Sequence, residues 1–295
     1  MFIEFINYVI NGALLGLLYS LIAMGFVAIY RASKVFNFAQ GELLIIGGFL
    51  VWLFVIGFGL PLYVGLPLAF GAATAVGWLI ERVFFSRLVG ESVFSMVMVT
   101  IGLLILLRGM VLVFFGPQVR PFPVVFPLQP LIIGEFFVPM NLLWGAFISV
   151  VITMLLSWFF NRTRRGLSMT AVAEDHQIAL SLGISVKRSV AFAWMLGAFL
   201  SALGAVIFLS GKSINFLASE IGFAALPVAL LAGLESILGL LLAGIIVGIV
   251  QGLSSAYLDP YLGGAVSTVM PYLIMLFILL IRPTGFFGWK RIERV

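Results

Sequence analysis

Long apolar blocks alternate with short polar breaks along almost the whole chain. A helix needs roughly 20 apolar residues to cross a hydrocarbon core of about 30 Å. Blocks of that order occur at 8–30, 41–58, 61–80, 93–115, 138–160, 189–209 and 264–282. A further block, 222–255, is too long for one span and marginal for two, and Gly233, Glu235 and Ser236 interrupt it. It reads as a short span, 222–233, followed by a full one, 238–255. The pattern predicts an all-α polytopic membrane protein with about nine transmembrane helices, one of them short, in a single transmembrane domain over 1–295. Residues 1–7 lack the basic start of a signal peptide and no small-residue cleavage site follows, so the first span is expected to be retained.

Two of the breaks are long. The loop 116–137 contains Pro117, Pro121, Pro123, Pro127 and Pro130, which excludes a helix throughout and predicts an extended cap on the outer surface. The other, 161–188, reads NRTRRGLSMTAVAEDHQIALSLGISVKR and is the one long polar segment. Its stretch 167–182 has helical spacing, with Leu167, Ala171, Ile178 and Leu182 on or near one face. Gly183 suits the left-handed residue that ends a helix. Glu174 and Asp175 then fall near the middle of that helix. A short amphipathic helix clamped between two spans suggests a docking element for a soluble partner. The other reading is a helix lying on the bilayer surface, against which the apolar face is narrow and includes alanines.

Composition sharpens this picture. The chain is 63% hydrophobic and only 9% charged, which excludes an ordinary soluble domain and a disordered chain. Cysteine is absent and His176 is the single histidine, so neither a disulfide framework, a thiolate site nor a multi-histidine metal site is expected. The net charge of +5 acquires meaning from its distribution. With 161–188 taken as cytoplasmic, nine crossings put Arg31, Lys34, Arg82, Arg87, Arg162, Arg164, Arg165, Lys187, Arg188, Arg282, Lys290, Arg291 and Arg294 on that same side. Only Arg120 and Lys212 fall on the other, and Arg108 lies within a span. The positive-inside rule then places the N-terminus outside and the C-terminus inside. A basic excess sorted in this way is a membrane signal, and no nucleic-acid partner is implied.

Candidate chemistry is sparse. Glu42 stands at the inner start of a span, where a carboxylate either complements the helix dipole or, with Asn37 and Gln40, forms a gate or substrate contact at the break. Glu235 poses the same choice before 238–255. Arg108 lies seven residues from the outer end of its span, and either snorkels outward or faces the translocation path, where it can pair with a substrate carboxylate. The four-residue spacing of Gly12 with Gly16, and of Gly244 with Gly248 and Gly252, predicts close helix packing. Gly211-Lys212-Ser213 imitates the end of a phosphate-binding loop, but Val206 stands where that loop needs its first glycine. The cluster Glu174, Asp175, His176 comes with no nucleophile, so no catalytic residue is assigned.

Five stretches carry a family resemblance. The segment 161–188 is similar to the cytoplasmic coupling loop of permease subunits of bacterial ABC importers for branched-chain amino acids (the LivH type). Asn37-Phe38-Ala39-Gln40-Gly41-Glu42 resembles that family's NFAHGE signature. Thr100-Ile101-Gly102-Leu103 with Phe115-Gly116-Pro117 resembles TIGL…FGP, Gly233-Leu234-Glu235-Ser236-Ile237 with Gly239 resembles GGLGSIPG, and Arg282-Pro283-Thr284-Gly285-Phe286-Phe287-Gly288 resembles RPQGLFG. The order is kept from about residue 8 to 288. The chain departs from the pattern at Gln40, where histidine is usual, at Glu235, where glycine is usual, and at Arg108, where a neutral polar residue is common.

The resemblance implies the permease fold of this importer branch, in a bacterial cytoplasmic (inner) membrane. It implies a second, homologous permease subunit, two cytoplasmic ATPase subunits that hold the ATP and Mg, and an extracytoplasmic substrate-binding protein delivering a small-molecule substrate. This chain is then not an enzyme and binds no cofactor itself. The helix at 167–183 is expected to sit in a cleft of the ATPase, with Ala171, Ala173, Glu174, Asp175, Ala179 and Gly183 as coupling residues. The usual cargo is a branched-chain amino acid, while relatives carry amides, urea or small aromatic acids. The competing classes are an ion-coupled secondary transporter, a passive channel and an integral-membrane enzyme. The first usually needs acidic or histidine relays inside the membrane, and the acids near spans here (Glu42, Glu81 and Glu235) stand at span ends.

Overall fold

The structure is a computed structural model and describes residues 2–88 and 90–288. Thirteen α-helices dominate it. They are α1 (Phe2–Ser33), α2 (Gln40–Trp52), α3 (Leu62–Val83), α4 (Val93–Phe115), α5 (Met140–Arg162), α6 (Arg164–Glu174), α7 (His176–Ser181) and α8 (Val186–Leu209). After them come α9 (Ser219–Ala224), α10 (Leu226–Ala232), α11 (Ile237–Tyr257), α12 (Asp259–Leu262) and α13 (Val266–Ile281). A π-turn at Leu53–Gly57 prolongs α2.

Seven of the helical segments are long and apolar enough to cross a membrane: Phe2–Ser33, Gln40–Gly57, Leu62–Arg87, Val93–Phe115, Met140–Arg162, Val186–Leu209 and Ile237–Tyr257. The remaining two predicted spans correspond to shorter apolar helices, Phe216–Ala232 and Val266–Ile281. The first of these is not one smooth rod. It divides between α9 and α10, and Pro227, with no N–H to give, sits in the first turn of α10. Gly233, at φ 84°, ends α10 in the left-handed region.

Helix α1 is the central post, with 78% of its apolar window buried, against 22% for α4 at the periphery. It packs on α11, α8, α5 and α10. Its seam with α11 is the one predicted from glycine spacing. A Cβ on Gly16 would meet the carbonyl of Gly244, and one on Gly248 would meet that of Gly12. The backbones touch, and Ser20 Oγ, on the same seam, donates to the Leu240 carbonyl at 2.7 Å. Gly252 lies against Tyr8 and Gly12 at the far end. Lipid tails are as apolar as the side chains, so such backbone contact and the hydrogen bond across it replace the hydrophobic drive of a soluble core.

The proline-rich loop is extended, as expected. Its β1 (Arg120–Pro121) pairs antiparallel with β4 (Ser213–Ile214), and β2 (Leu131–Ile133) with β3 (Phe136–Val138). Ser210 Oγ accepts from Val125 N and Phe126 N, and Arg120 lies over the Trp52 ring at 4.3 Å, so the loop is fastened to α8 and α2. Gly211-Lys212-Ser213 is the turn feeding β4, with Lys212 over the Phe208 ring rather than in a phosphate cradle.

The polar segment corrects the single helix expected over 167–182. Two helices, α6 and α7, meet at Asp175, whose backbone is extended at φ −154° and ψ 115°. Its Oδ1 accepts from Gln177 N and Ile178 N, so Asp175 caps α7 instead of lying within a helix. Thr163 does the same for α6 by accepting from Gly166 N. The face turned to the rest of the chain carries Gly166, Met169, Val172 and Ala179. Leu167, Ile178 and Leu182 are exposed.

Candidate functional site

The break between α1 and α2 organises the polar interior. Asn37 folds back on it, its Oδ1 accepting from Ala39 N at 3.0 Å and its amide donating to Gln40 Oε1 at 3.1 Å. The Gln40 amide donates in turn to Ser201 Oγ on α8 at 2.7 Å. Phe38 N donates to Thr100 Oγ1 on α4, which itself donates to Val97 O at 2.8 Å. Asn37, Gln40, Thr100 and Ser201 are all fully buried. Their groups partner one another, so the break is a rigid, satisfied turn deep in the bundle.

Two residues on, Glu42 is also fully buried, and its carboxylate turns to Arg108 rather than to its own helix N-terminus. Arg108 Nε donates to Glu42 Oε1 at 2.9 Å, and a guanidinium nitrogen of Arg108 donates to Ser219 Oγ at 2.9 Å. Arg108 therefore reaches inward, and the snorkelling alternative is set aside. It lies about 22 Å of helix rise beyond the start of α4 and about 10 Å before its end, so the pair sits well inside the span. Ser219 arrives there because α9 crosses α2 on two glycines. A Cβ on Gly222 would meet Gly41, and one on Gly41 would meet the Ser219 carbonyl. Arg108 stays 41% exposed while Glu42 is at 0%.

Glu235 belongs to a different cluster. It lies in the turn between α10 and α11, where Ser236, not Glu235, caps α11 by accepting from Gly239 N. Its Oε1 pairs with Lys34 Nζ at 2.5 Å, and the same ammonium pairs with Glu174 Oε1 at 3.0 Å. Lys34 follows α1 in the left-handed region, at φ 54°. Burial by itself pushes the Lys34 ammonium down, but the hydrogen bonds and charges of Glu235 and Glu174 outweigh it and hold its pKa above the usual lysine value. The end of α6 is thus tied through Lys34 to the exit of α1 and to the α10–α11 turn.

The five residues read as candidates for the path or gate resolve into three groups: Asn37 with Gln40, Glu42 with Arg108, and Glu235 with Lys34 and Glu174. Among the coupling candidates, Glu174 is exposed and ion-paired, Asp175 is an exposed cap, and Ala171 and Ala173 are half-buried on α6. Ala179 is buried against its own chain, and Gly183 takes the predicted left-handed turn at φ 77°. Sequence reading missed Lys34, Thr100, Ser201 and Ser219 as partners. The signal for Thr100 and Ser201 was present, since each is a polar residue inside an otherwise apolar span. Among the described residues no group of three or more histidine, cysteine, aspartate or glutamate side chains is arranged to hold a metal ion.

Comparison with known proteins places this arrangement. The pattern of the family described as branched-chain amino acid transport system, permease component, matches residues 8–279. The high-affinity branched-chain amino acid transport system permease protein LivH of Escherichia coli (strain K12) is 31% identical, covering 100% of this chain and 99% of its own. BraD of Pseudomonas aeruginosa, named as a permease of the same kind, is 29% identical, with 99% and 98% covered. A probable branched-chain amino acid transport permease, LivH of Methanocaldococcus jannaschii, is 26% identical, with 93% and 90% covered.

Proposed function

Because the chain belongs to the family of permease components of branched-chain amino acid transport systems, we propose that it forms half of the translocation path of an importer for a branched-chain amino acid or a similar small polar solute. ATP is bound with Mg and hydrolysed on two partner ATPase subunits, a second homologous permease completes the path, and an extracytoplasmic binding protein delivers the cargo. The chain folds as a single transmembrane domain of nine crossings, with 216–232 and 266–281 as the two short ones, in a bacterial cytoplasmic membrane. The distribution of arginine and lysine supports an N-terminus outside and a C-terminus inside. Lys290, Arg291 and Arg294, which contribute to that argument, lie outside the described residues.

One observation carries the coupling part of this reading. The polar segment buries Met169 and Val172 against its own chain and leaves Leu167, Ile178 and Leu182 exposed on the outside. Apolar side chains on a polar, surface segment are an invitation to a soluble partner. Displacement of α6 by the ATPases would act on Lys34 through Glu174, and Lys34 begins the break that ends at Gln40 and Glu42. Alternating access is then driven at α6 and expressed at the α1–α2 break. Along the path, Arg108 is the group suited to the cargo. One face of its guanidinium is held by Glu42 and Ser219, and its exposed remainder offers donors to a substrate carboxylate.

The test is a gentle detergent purification through this chain, expressed from its native operon, with mass spectrometry of what accompanies it. Recovery of a second permease and ATPase subunits is expected. Recovery of the chain alone, stable, monodisperse and moving solute without ATP, would overturn the importer reading in favour of a secondary transporter or channel.

A further inference from the structure

Where α5 gives way to α6 and α8 begins, the surface opens into a cleft of about 510 Å³ walled by Arg164, Arg165, Arg188, Ser168, Ser185 and Ser189. All three arginines are exposed, and none makes an ion pair among the described residues. Helix α8 starts at this cleft, and its cap residue Ser185 makes no side-chain cap hydrogen bond, so first-turn N–H groups add to the positive potential. Three guanidinium groups around one cleft are the donor set that suits a phosphate or a similar oxyanion.

Its floor leads somewhere specific. Phe192 lines the cleft and also lines a second groove, of about 250 Å³, whose other residues are Leu155, Leu156, Trp158, Phe159 and Leu196. Phe159 and Phe192 stack at 5.6 Å where the two meet. The groove runs between α5 and α8 and is apolar throughout. Leu155 lies about 10 Å deeper along α5 than Arg162, so the groove descends into the span from the basic end. Leu155 and Trp158 are exposed, Trp158 one helical turn before Arg162.

A cationic cleft continuous with an apolar groove matches one class of ligand. We propose that the two form a single site for an anionic phospholipid, its phosphate held by Arg164, Arg165 and Arg188 and an acyl chain lying between α5 and α8. Neither a free phosphate nor the acidic face of a soluble partner would use the groove. Two of the arginines stand on α6 and the third on α8, so the lipid ties the start of the coupling segment to a spanning helix. The site is independent of the transported cargo. It predicts that the resting position of α6 depends on the charge of the surrounding lipid.

The test is native mass spectrometry of the full chain with its co-purifying partners, delipidated and then offered phosphatidylglycerol, phosphatidylcholine or glycerol 3-phosphate. Phosphatidylglycerol is expected to be retained on the order of tenfold better than phosphatidylcholine, and the Arg164→Gln/Arg165→Gln/Arg188→Gln variant to lose that preference. The Arg→Lys triple variant should keep most of it, which separates charge from misfolding. Leu196→Trp, which fills the groove, should weaken retention while leaving the arginines in place. Three results would overturn the proposal. Glycerol 3-phosphate bound as well as the lipid would make the cleft a free-phosphate site. Equal loss in Arg82→Gln/Arg87→Gln, at a separate basic surface, would make the effect one of general charge. Loss of the soluble subunits from the glutamine variant, with lipid retained, would assign the arginines to a protein partner.

Discussion

Glu42–Arg108 and Lys34–Glu174–Glu235 both join parts of the chain far apart in sequence, yet their surroundings differ. The first lies within a span, with the carboxylate wholly enclosed and its Oε2 without a protein partner among the described residues. The second lies beyond the end of α1, where Glu174 is 64% exposed. In the first pair the Glu42 carboxylate has already lost its water, so removing Arg108 strands it at high cost. At the Glu174 end of the second cluster water replaces a lost partner and that contact is worth little, while Lys34 and Glu235, at 15% and 26% exposed, are partly sheltered. One cluster therefore fixes α2, α4 and α9 together, and the other ties α6 to the exit of α1 by contacts that the proposed movement of α6 would open and re-form.

The largest expected effect breaks the enclosed pair. Arg108→Gln leaves Glu42 as a buried, uncompensated charge, and should cost on the order of 3–5 kcal/mol in unfolding in detergent. Glu42→Gln alone should cost less, because the half-exposed guanidinium retains access to polar surroundings. The double variant should be more stable than Arg108→Gln, giving a coupling energy above about 1 kcal/mol in a double-mutant cycle. Additive losses would show that the two charges do not hold each other. Uptake of a carboxylate-bearing cargo should fall in Arg108→Gln even at temperatures where the variant is fully folded, and unchanged kinetics would remove Arg108 from the path.

That pair also marks the limit of what the sequence discloses. Span positions were legible because each obeys a local rule of apolar length, and the glycine ridges because four-residue spacing puts small residues on one helix face. The partner of each ridge was not legible, since nothing local in Gly16 points to Gly244. Arg108 and Glu42 are 66 positions apart and Lys34 and Glu235 are 201 apart. Each was conspicuous as a charge near or inside an apolar block, but which charge met which depended on how α4 and α9 lie against α2. The break at Asp175 is a different case. An aspartate able to cap the N–H groups two and three residues on is a local signal, and the apolar spacing across 167–182 masked it.

An intermediate effect tests the joint through function rather than stability. Ala173→Trp places a large ring on the half-buried side of α6, one residue before Glu174. It should leave span packing intact but reduce ATP-driven uptake severalfold, with the ATPase subunits hydrolysing ATP at an undiminished rate. Uptake at the level of the unsubstituted chain would sink the proposal that α6 transmits the stroke. Lys34→Gln removes the central ion of the partly exposed cluster. It should cost less than Arg108→Gln, because water reaches Glu174 and part of Glu235, and raised salt should reduce the difference from the unsubstituted chain. The same salt series should leave the cost of Arg108→Gln nearly constant, since an enclosed pair is poorly screened. Equal salt sensitivity in both variants would erase the distinction between the clusters.

The smallest effect is a pH dependence confined to the alkaline side. Lys34 carries a pKa raised above its ordinary 10.5. The folded chain therefore holds this proton more tightly than the unfolded chain. By linkage, the stabilisation is fully present below the unfolded value and is lost as pH rises through the folded one. The contribution of Lys34 to thermal stability should then be constant with pH through the neutral range, and the gap between the unsubstituted chain and Lys34→Gln should close only above about pH 10.5. Glu174→Gln and Glu235→Gln each remove one of the two carboxylates that raise the folded value, so each should lower the pH at which that loss is complete and shrink the loss itself. Glu235→Gln should lower that pH further, because Glu235 makes the shorter contact and is the less exposed partner. An end of the loss that moves equally in Glu42→Gln would mean that the two clusters communicate through the α1–α2 break even at rest, and that the joint is not electrically separate from the path.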